Sequence, residues 1–196
     1  MTTISMELIQ KLRERTGVGM MDCKKALQEA NGDIEKAVEL LRKKGAAVAE
    51  KRSDKTTSEG LVHSYIHPGA RIGVLIELNC ETDFVARTED MSGFAHDLCM
   101  QIAAFRPLCV SSEQVDPQLI EKEKAIYKEQ LTGKPEQVMN QIIEGKLQKY
   151  FTDICLLNQP FIKNDKLTVH DRLKEIIAKM GENVKIKRFV RYEVGT

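Results

Sequence analysis

Four histidines, five cysteines and a glycine-flanked turn are the residues of this chain with the clearest means to do chemistry. His63 and His67 are four apart, a spacing that suggests a metal pair. They fall in a strand pattern, where four residues put both side chains on one face but about 13 Å apart, too far to share an ion. His96 and His170 fall in helix patterns without acidic or cysteine neighbours at ligand spacing. Cys23, Cys80, Cys99, Cys109 and Cys155 are scattered, odd in number and include no CxxC pair. They read as thiols serving as small buried hydrophobes, not as zinc ligands or a disulfide framework. Gly17-Val18-Gly19 lacks a preceding strand and a following Lys-Ser or Lys-Thr, so it reads as a turn between helices and not as a phosphate loop. No G-x-S-x-G nucleophile motif is present. The expectation is a chain that is not an enzyme, with no cofactor and no metal of its own.

Two stretches carry residues better suited to recognition. In Val18-Gly19-Met20-Met21, large apolar side chains stand in a loop beside glycines. Methionine adapts to a partner surface, so Met20 and Met21 are candidate contacts, the alternative being that they plug a small helical core. The second stretch is Glu77-Leu78-Asn79-Cys80-Glu81-Thr82-Asp83-Phe84-Val85-Ala86-Arg87. An apolar strand ends here in polar residues, and Phe84 and Val85 begin a helical turn with Thr82 or Asp83 as its cap. A phenylalanine at such a corner is either tucked into the core or offered outward. The residue types alone favour the core.

The elements that must position these residues fall into two groups. The first 45 residues pattern as three short helices. Ser5 caps a stripe of Leu8, Ile9 and Leu12, and Gly17 breaks it. A second helix spans about 22–30 with Ala26 and Leu27 inward, ended by Asn31-Gly32. Asp33 caps a third carrying Ile34, Ala37, Val38 and Leu41, which Gly45 is predicted to close. Residues 46–58 are charged and small without a sustained stripe, and read as a partly helical linker.

From Gly60 the period changes to two. Leu61–Ile66 and Arg71–Leu78 form strands around a His67-Pro68-Gly69-Ala70 turn, with Ile72, Val74, Ile76 and Leu78 on one face. A third strand is predicted over 184–194, with Val184, Ile186, Val190, Tyr192 and Val194 on one face. Helix patterns lie at about 91–105, 117–132, 135–153 and 168–180. The expected class is α+β: an N-terminal three-helix domain (1–45), a linker (46–58), and a core domain (59–196) in which helices cover one face of a small antiparallel three-stranded sheet. The opposite sheet face is predicted to carry Leu61, Tyr65, Leu75 and Phe189, more apolar than a solvated face requires.

Composition bounds the function. The chain has 196 residues, 42% hydrophobic and 30% charged, the balance of a globular protein able to bury a core. Its net charge of +1 supplies no field to draw it to nucleic acid or an anionic membrane. No apolar run is long enough to span a bilayer, and the first residues lack the plan of a signal peptide, so a cytoplasmic location is expected.

At its motifs the sequence resembles the elongation factor Ts family. Leu12 through Leu27 is similar to the family's N-terminal signature, and Glu77 through Arg87 to its second signature with the Thr-Asp-Phe-Val core. Tyr65 through Leu75 is similar to its hairpin, and Gln159-Pro160-Phe161 and Arg188 through Gly195 match as well. The resemblance implies a nucleotide exchange factor that binds elongation factor Tu, GDP-bound and nucleotide-free, during translation elongation. It implies a ubiquitin-associated-like fold for the N-terminal helices, which dock on the partner through Met20 and Met21. It implies that Thr82, Asp83, Phe84 and Val85 form a tip, with Asp83-Phe84 inserted near the partner's Mg²⁺ and phosphate site. Phe161 and Ile162 are further candidate contacts. The resemblance thus reverses the preference for Phe84 as core. Longer family members carry a second, partly duplicated core and a C-terminal helical module, whereas one hairpin copy is present here. A homodimer through Leu61, Tyr65, Leu75 and Phe189 is therefore expected. The competing reading is a ubiquitin-associated-like adaptor without exchange activity, which would have no use for the second signature.

Overall fold

The computed structural model describes residues 4–131 and 135–195. Helix α1 (Met6–Thr16) starts at Ser5, whose hydroxyl accepts from Leu8 N, and stops at Gly17 with φ of 68°. That left-handed backbone favours glycine because a Cβ would crowd the carbonyl. Helix α2 (Met20–Glu29) follows, and Asp33 caps α3 (Ile34–Arg52) by accepting from Lys36 N. Ile9, Leu12, Cys23, Ala26, Leu27, Ala30, Ala37 and Leu41 form the buried centre of these three helices.

Helix α3 does not end at Gly45, as its sequence predicts, but continues to Arg52. A Cβ built at Gly45 would lie 3.0 Å from the Ala178 Cβ. The glycine is there to admit the close approach of another helix, α8 (Val169–Met180), and not to stop its own. The residues read as a linker are thus helical through Arg52.

Strands β1 (Glu59–Ile66), β2 (Ile72–Cys80) and β5 (Val184–Glu193) make a small antiparallel sheet in the order β1-β2-β5. Between β2 and β5 come α4 (Asp83–Ala86), α5 (Glu89–Phe105), α6 (Pro117–Gln130) and α7 (Glu136–Ile154). The two-stranded pair β3 (Pro160–Phe161) and β4 (Asn164–Thr168), which the sequence pattern did not predict, precedes α8. The architecture is α+β. The predicted helix end at 132 and the outermost residues of the predicted domains (1–3 and 196) lie outside the described residues.

The described residues form two compact units. One draws on residues 4–61, 79–91 and 171–185, the other on 62–78, 92–131, 135–170 and 186–195. In the second unit α5 covers one sheet face. His63 Nε2 lies 3.4 Å from His96 Nδ1, and the Tyr65 ring meets the His96 ring edge-on at 5.4 Å. Burial, and then the neighbouring His96, holds the His63 imidazole below its ordinary pKa. His67 turns instead to the Tyr65 hydroxyl, at 2.9 Å.

The strand faces differ from the predicted ones. In β1, Leu61, His63 and Tyr65 are half-buried on the α5 side, while Val62, Ser64 and Ile66 are exposed. In β5, Val184 and Ile186 are buried, but alternation then slips by one residue. Phe189, Arg191 and Glu193 turn inward and Val190, Tyr192 and Val194 outward. One residue of slip moves every later side chain to the other face. The cause is polar. Arg191 donates through Nε and Nη2 to the Ala103 carbonyl near the end of α5, and its Nη1 pairs with Glu193 at 2.8 Å. The last carbonyls of a helix have no partner within it, and an arginine satisfies one here. Of the four residues predicted to share the outer face, only Leu75 is exposed there, at 45%. Its neighbours on that face are Val62, Ile66, Val190 and Tyr192.

Candidate partner-binding site

Strand β2 ends in Cys80, fully buried, and the next residues turn a corner into α4. Glu81 is the first anchor of that corner. Its carboxylate accepts from Asn183 N at 2.6 Å and from Arg52 Nη1 at 2.8 and 3.1 Å. The Asn183 amide, followed by Arg52, holds the carboxyl below its ordinary pKa. Asn183 is itself 2% exposed, and its Nδ2 donates to the carbonyls of Ser53 and Lys55. The end of α3, the corner and the start of β5 are thereby tied at one point.

Thr82 is the second anchor. Its backbone N–H donates to Glu182 Oε2 at 3.0 Å and its hydroxyl to Glu182 Oε1 at 2.7 Å. One carboxylate therefore fixes both backbone and side chain, in hydrogen bonds of the stronger, charge-assisted kind. Thr82, not Asp83, is the helix cap, since its side chain accepts from Val85 N. The Cys80 thiol donates to the Thr82 carbonyl at 3.1 Å, and the Thr88 hydroxyl donates to the Val85 carbonyl at 2.8 Å. The one-turn helix is tied at both ends.

The residues it carries face out. Phe84 is 80% exposed, and no side chain of α4 is buried. The preference for a core Phe84, drawn from residue types alone, is thus overturned. Within this one turn it is Val85, not Phe84, that faces the body of the unit. Val85 is half-buried, and Asp83 pairs with Arg87 at 2.9 Å. The same unit carries Met20 and Met21 in the first turn of α2, 38% and 65% exposed and outside the bundle centre. In the other unit, Phe161 is 4% exposed and belongs to the interior, while Ile162 is 38% exposed. Gln101, fully buried, secures that corner by donating to the Gln159 side chain and the Pro160 carbonyl and accepting from Ile162 N. Among the described residues no three His, Cys, Asp or Glu side chains gather as a metal-binding set.

The sequence pattern marks the corner at residues 82–85 but not its base. Glu182 lies 100 residues from Thr82, and nothing in its local pattern marks it. With Glu182→Ala, exchange of the Thr82 amide proton should quicken roughly 10- to 100-fold, the worth of hydrogen bonds to a charged group. Bundle-centre amides such as Leu27 should keep their rate. Unchanged exchange at Thr82 would mean that the carboxylate does not hold the tip.

Comparison with known proteins agrees over the whole length. A sequence model of the family described as Elongation factor TS matches residues 6–196. Elongation factor Ts of Thermotoga petrophila is 56% identical over 192 residues, covering 98% of this chain and 96% of that protein. Elongation factor Ts of Moorella thermoacetica is 60% identical over 189 residues, covering 95% and 93%. For Elongation factor Ts of Carboxydothermus hydrogenoformans the identity is 55% over 194 residues, covering 98% and 89%. With a family match of that extent joined to the Thr-Asp-Phe-Val corner at residues 82–85, the chain belongs to the elongation factor Ts family.

Proposed function

We propose that this chain is a nucleotide exchange factor that binds elongation factor Tu, GDP-bound and nucleotide-free, and promotes GDP release during translation elongation. Family membership supports the exchange role and the partner. The observation that carries the mechanism is Phe84, 80% exposed on a corner braced from below by Glu182 and Glu81. A large apolar ring held mostly in water is suited to burial in another protein.

The wedge is Asp83-Phe84, flanked by Thr82 and Val85. Burying a phenylalanine contributes roughly 1.5–3 kcal/mol. Insertion near a Mg²⁺ site uses that energy to displace groups whose geometry the ion demands be near-octahedral. Weakening of GDP by the factor implies equal weakening of the factor by GDP, because binding coupling is reciprocal. No bond to the nucleotide changes, so this chain needs no cofactor and no acid–base residue. Met20 and Met21 supply an adaptable second contact from the N-terminal helices, and Ile162 a third beside the buried Phe161. The place of work is the cytoplasm; among the described residues no helix is long and apolar enough to cross a membrane.

The factor works as a homodimer. What supports this is the outer sheet face, where Val62, Ile66, Leu75, Val190 and Tyr192 are all exposed. Ile66 Cδ1 lies 3.1 Å from where a Gly73 Cβ would stand, so the side chain reaches over the glycine of the neighbouring strand. Leu61, Tyr65 and Phe189, half-buried on the other side, support this face from beneath. Sedimentation at micromolar concentration should give twice the chain mass, and a monomeric mass would remove the dimer from this proposal.

Phe84→Ala should cut the acceleration of labelled GDP release from elongation factor Tu by about 10- to 100-fold. Its melting temperature should stay that of the parent, because the ring makes no core contact. A well-folded Phe84→Ala protein with full exchange activity would rule out the wedge.

A further inference from the structure

Cys109 and Cys155 are 46 residues apart in sequence and side by side in the fold. They are direct partners in an isolated parallel β-bridge. The backbone around both is pinned. Leu108 N donates to the Ile154 carbonyl at 2.8 Å, Leu156 N to the Cys109 carbonyl at 2.9 Å, and Leu157 N to the Val110 carbonyl at 3.0 Å. The side chains turn toward each other, with the two Sγ atoms 3.6 Å apart. Bridged strands stand about 4.8 Å apart, within the roughly 4.4–6.8 Å that a disulfide spans between Cα atoms. Closing the sulfurs to a bond needs a side-chain rotation and no backbone movement. Cys109 Sγ also donates to the Ser111 carbonyl at 3.3 Å, and the other three thiols approach backbone oxygens without a cysteine beside them: Cys23 that of Val18, Cys80 that of Thr82 and Cys99 that of His63.

We propose that Cys109 and Cys155 form a reversible intramolecular disulfide, by exchange with a small-molecule disulfide, and that this bond staples the base of the α6–α7 hairpin. The segment between the two cysteines contains α6 and α7 entire. Among the described residues those helices pack through the buried Leu131, Ile143 and Leu147, with five half-buried apolar side chains around them. Closing the segment covalently restricts its unfolded states.

The order of steps follows from access. Cys109 is half-buried and Cys155 fully buried. Burial, then the hydrogen bond to Cys109, pushes the Cys155 thiol up to about 12, so it stays protonated and does not begin the exchange. The Cys109 thiolate attacks one sulfur of the small disulfide, whose S–S bond breaks, and the first thiolate leaves and takes up the proton Cys109 gave up. Cys155 then loses its proton and attacks Cys109 Sγ, expelling the second small thiolate, which receives that proton. Two small thiols are formed for one protein disulfide. The inference is independent of the exchange function.

The test is incubation of the full chain with oxidised glutathione, an acid quench and digestion without reduction. The expected product is a linked peptide pair holding Cys109 and Cys155, two hydrogens lighter than its parts and released by dithiothreitol. Cys155→Ser should stop at a glutathione adduct on Cys109. The oxidised parent should melt about 5–10 °C higher than the reduced one. A glutathione adduct that persists on Cys109 of the parent, a link between two chains, or five free thiols after treatment would overturn the disulfide. An unchanged melting temperature would overturn the staple.

Discussion

Both carboxylate oxygens of Glu182 are committed to one residue, Thr82, through its backbone N–H and its hydroxyl. The rest of the site depends on that grip. A phenylalanine in water gains by folding back onto any apolar surface it can reach. The turn that carries Phe84 is held from beneath by hydrogen bonds, with the ring directed outward. The two hydrogen bonds to Glu182, together with the Asn183–Glu81–Arg52 knot one residue earlier, replace the packing that usually orients an aromatic side chain. A helix of four residues could not supply it.

On the proposed reading, the same arrangement accounts for how a wedge on this chain acts on nucleotide release in another protein. A flexible loop bearing Phe84 would spend part of its binding energy on becoming ordered. A braced one has met that cost during folding, so in the proposed wedge more of the energy of burying the ring is left for the partner. The brace is polar and lies at the base, while the apolar ring lies at the tip. The exposed surface proposed to meet the partner is thus separate from the groups that hold it. The division is repeated in the second unit, where buried Gln101 holds the corner bearing Ile162.

What the sequence made legible was local. Ser5, Gly17 and Asp33 mark their helix ends because a cap acts within one turn of its own residue. The β1–β2 hairpin is legible from alternation and a Pro-Gly turn. What failed depended on distant partners. Gly45 reads as a helix stop until Ala178 is seen against it. The later half of β5 shows the other face because Arg191 seeks the open carbonyl of Ala103, 88 residues away. At the site, the tip was legible from its motif, but its outward direction was not legible from residue types. Glu182 was invisible altogether, being an ordinary surface-type residue whose partner lies 100 positions earlier. Cys109 and Cys155 look unrelated in a sequence without paired cysteines.

The central claim is that Glu182 acts on nucleotide exchange through Phe84. Release of labelled GDP from elongation factor Tu should be followed with the parent chain, Glu182→Ala, Phe84→Ala and the double variant. Residues acting as one unit give non-additive effects. Glu182→Ala is expected to slow release when Phe84 is present and to have no further effect when it is absent. An equal loss in both backgrounds would show that the carboxylate contributes by another route, and that the braced wedge is not how this chain works.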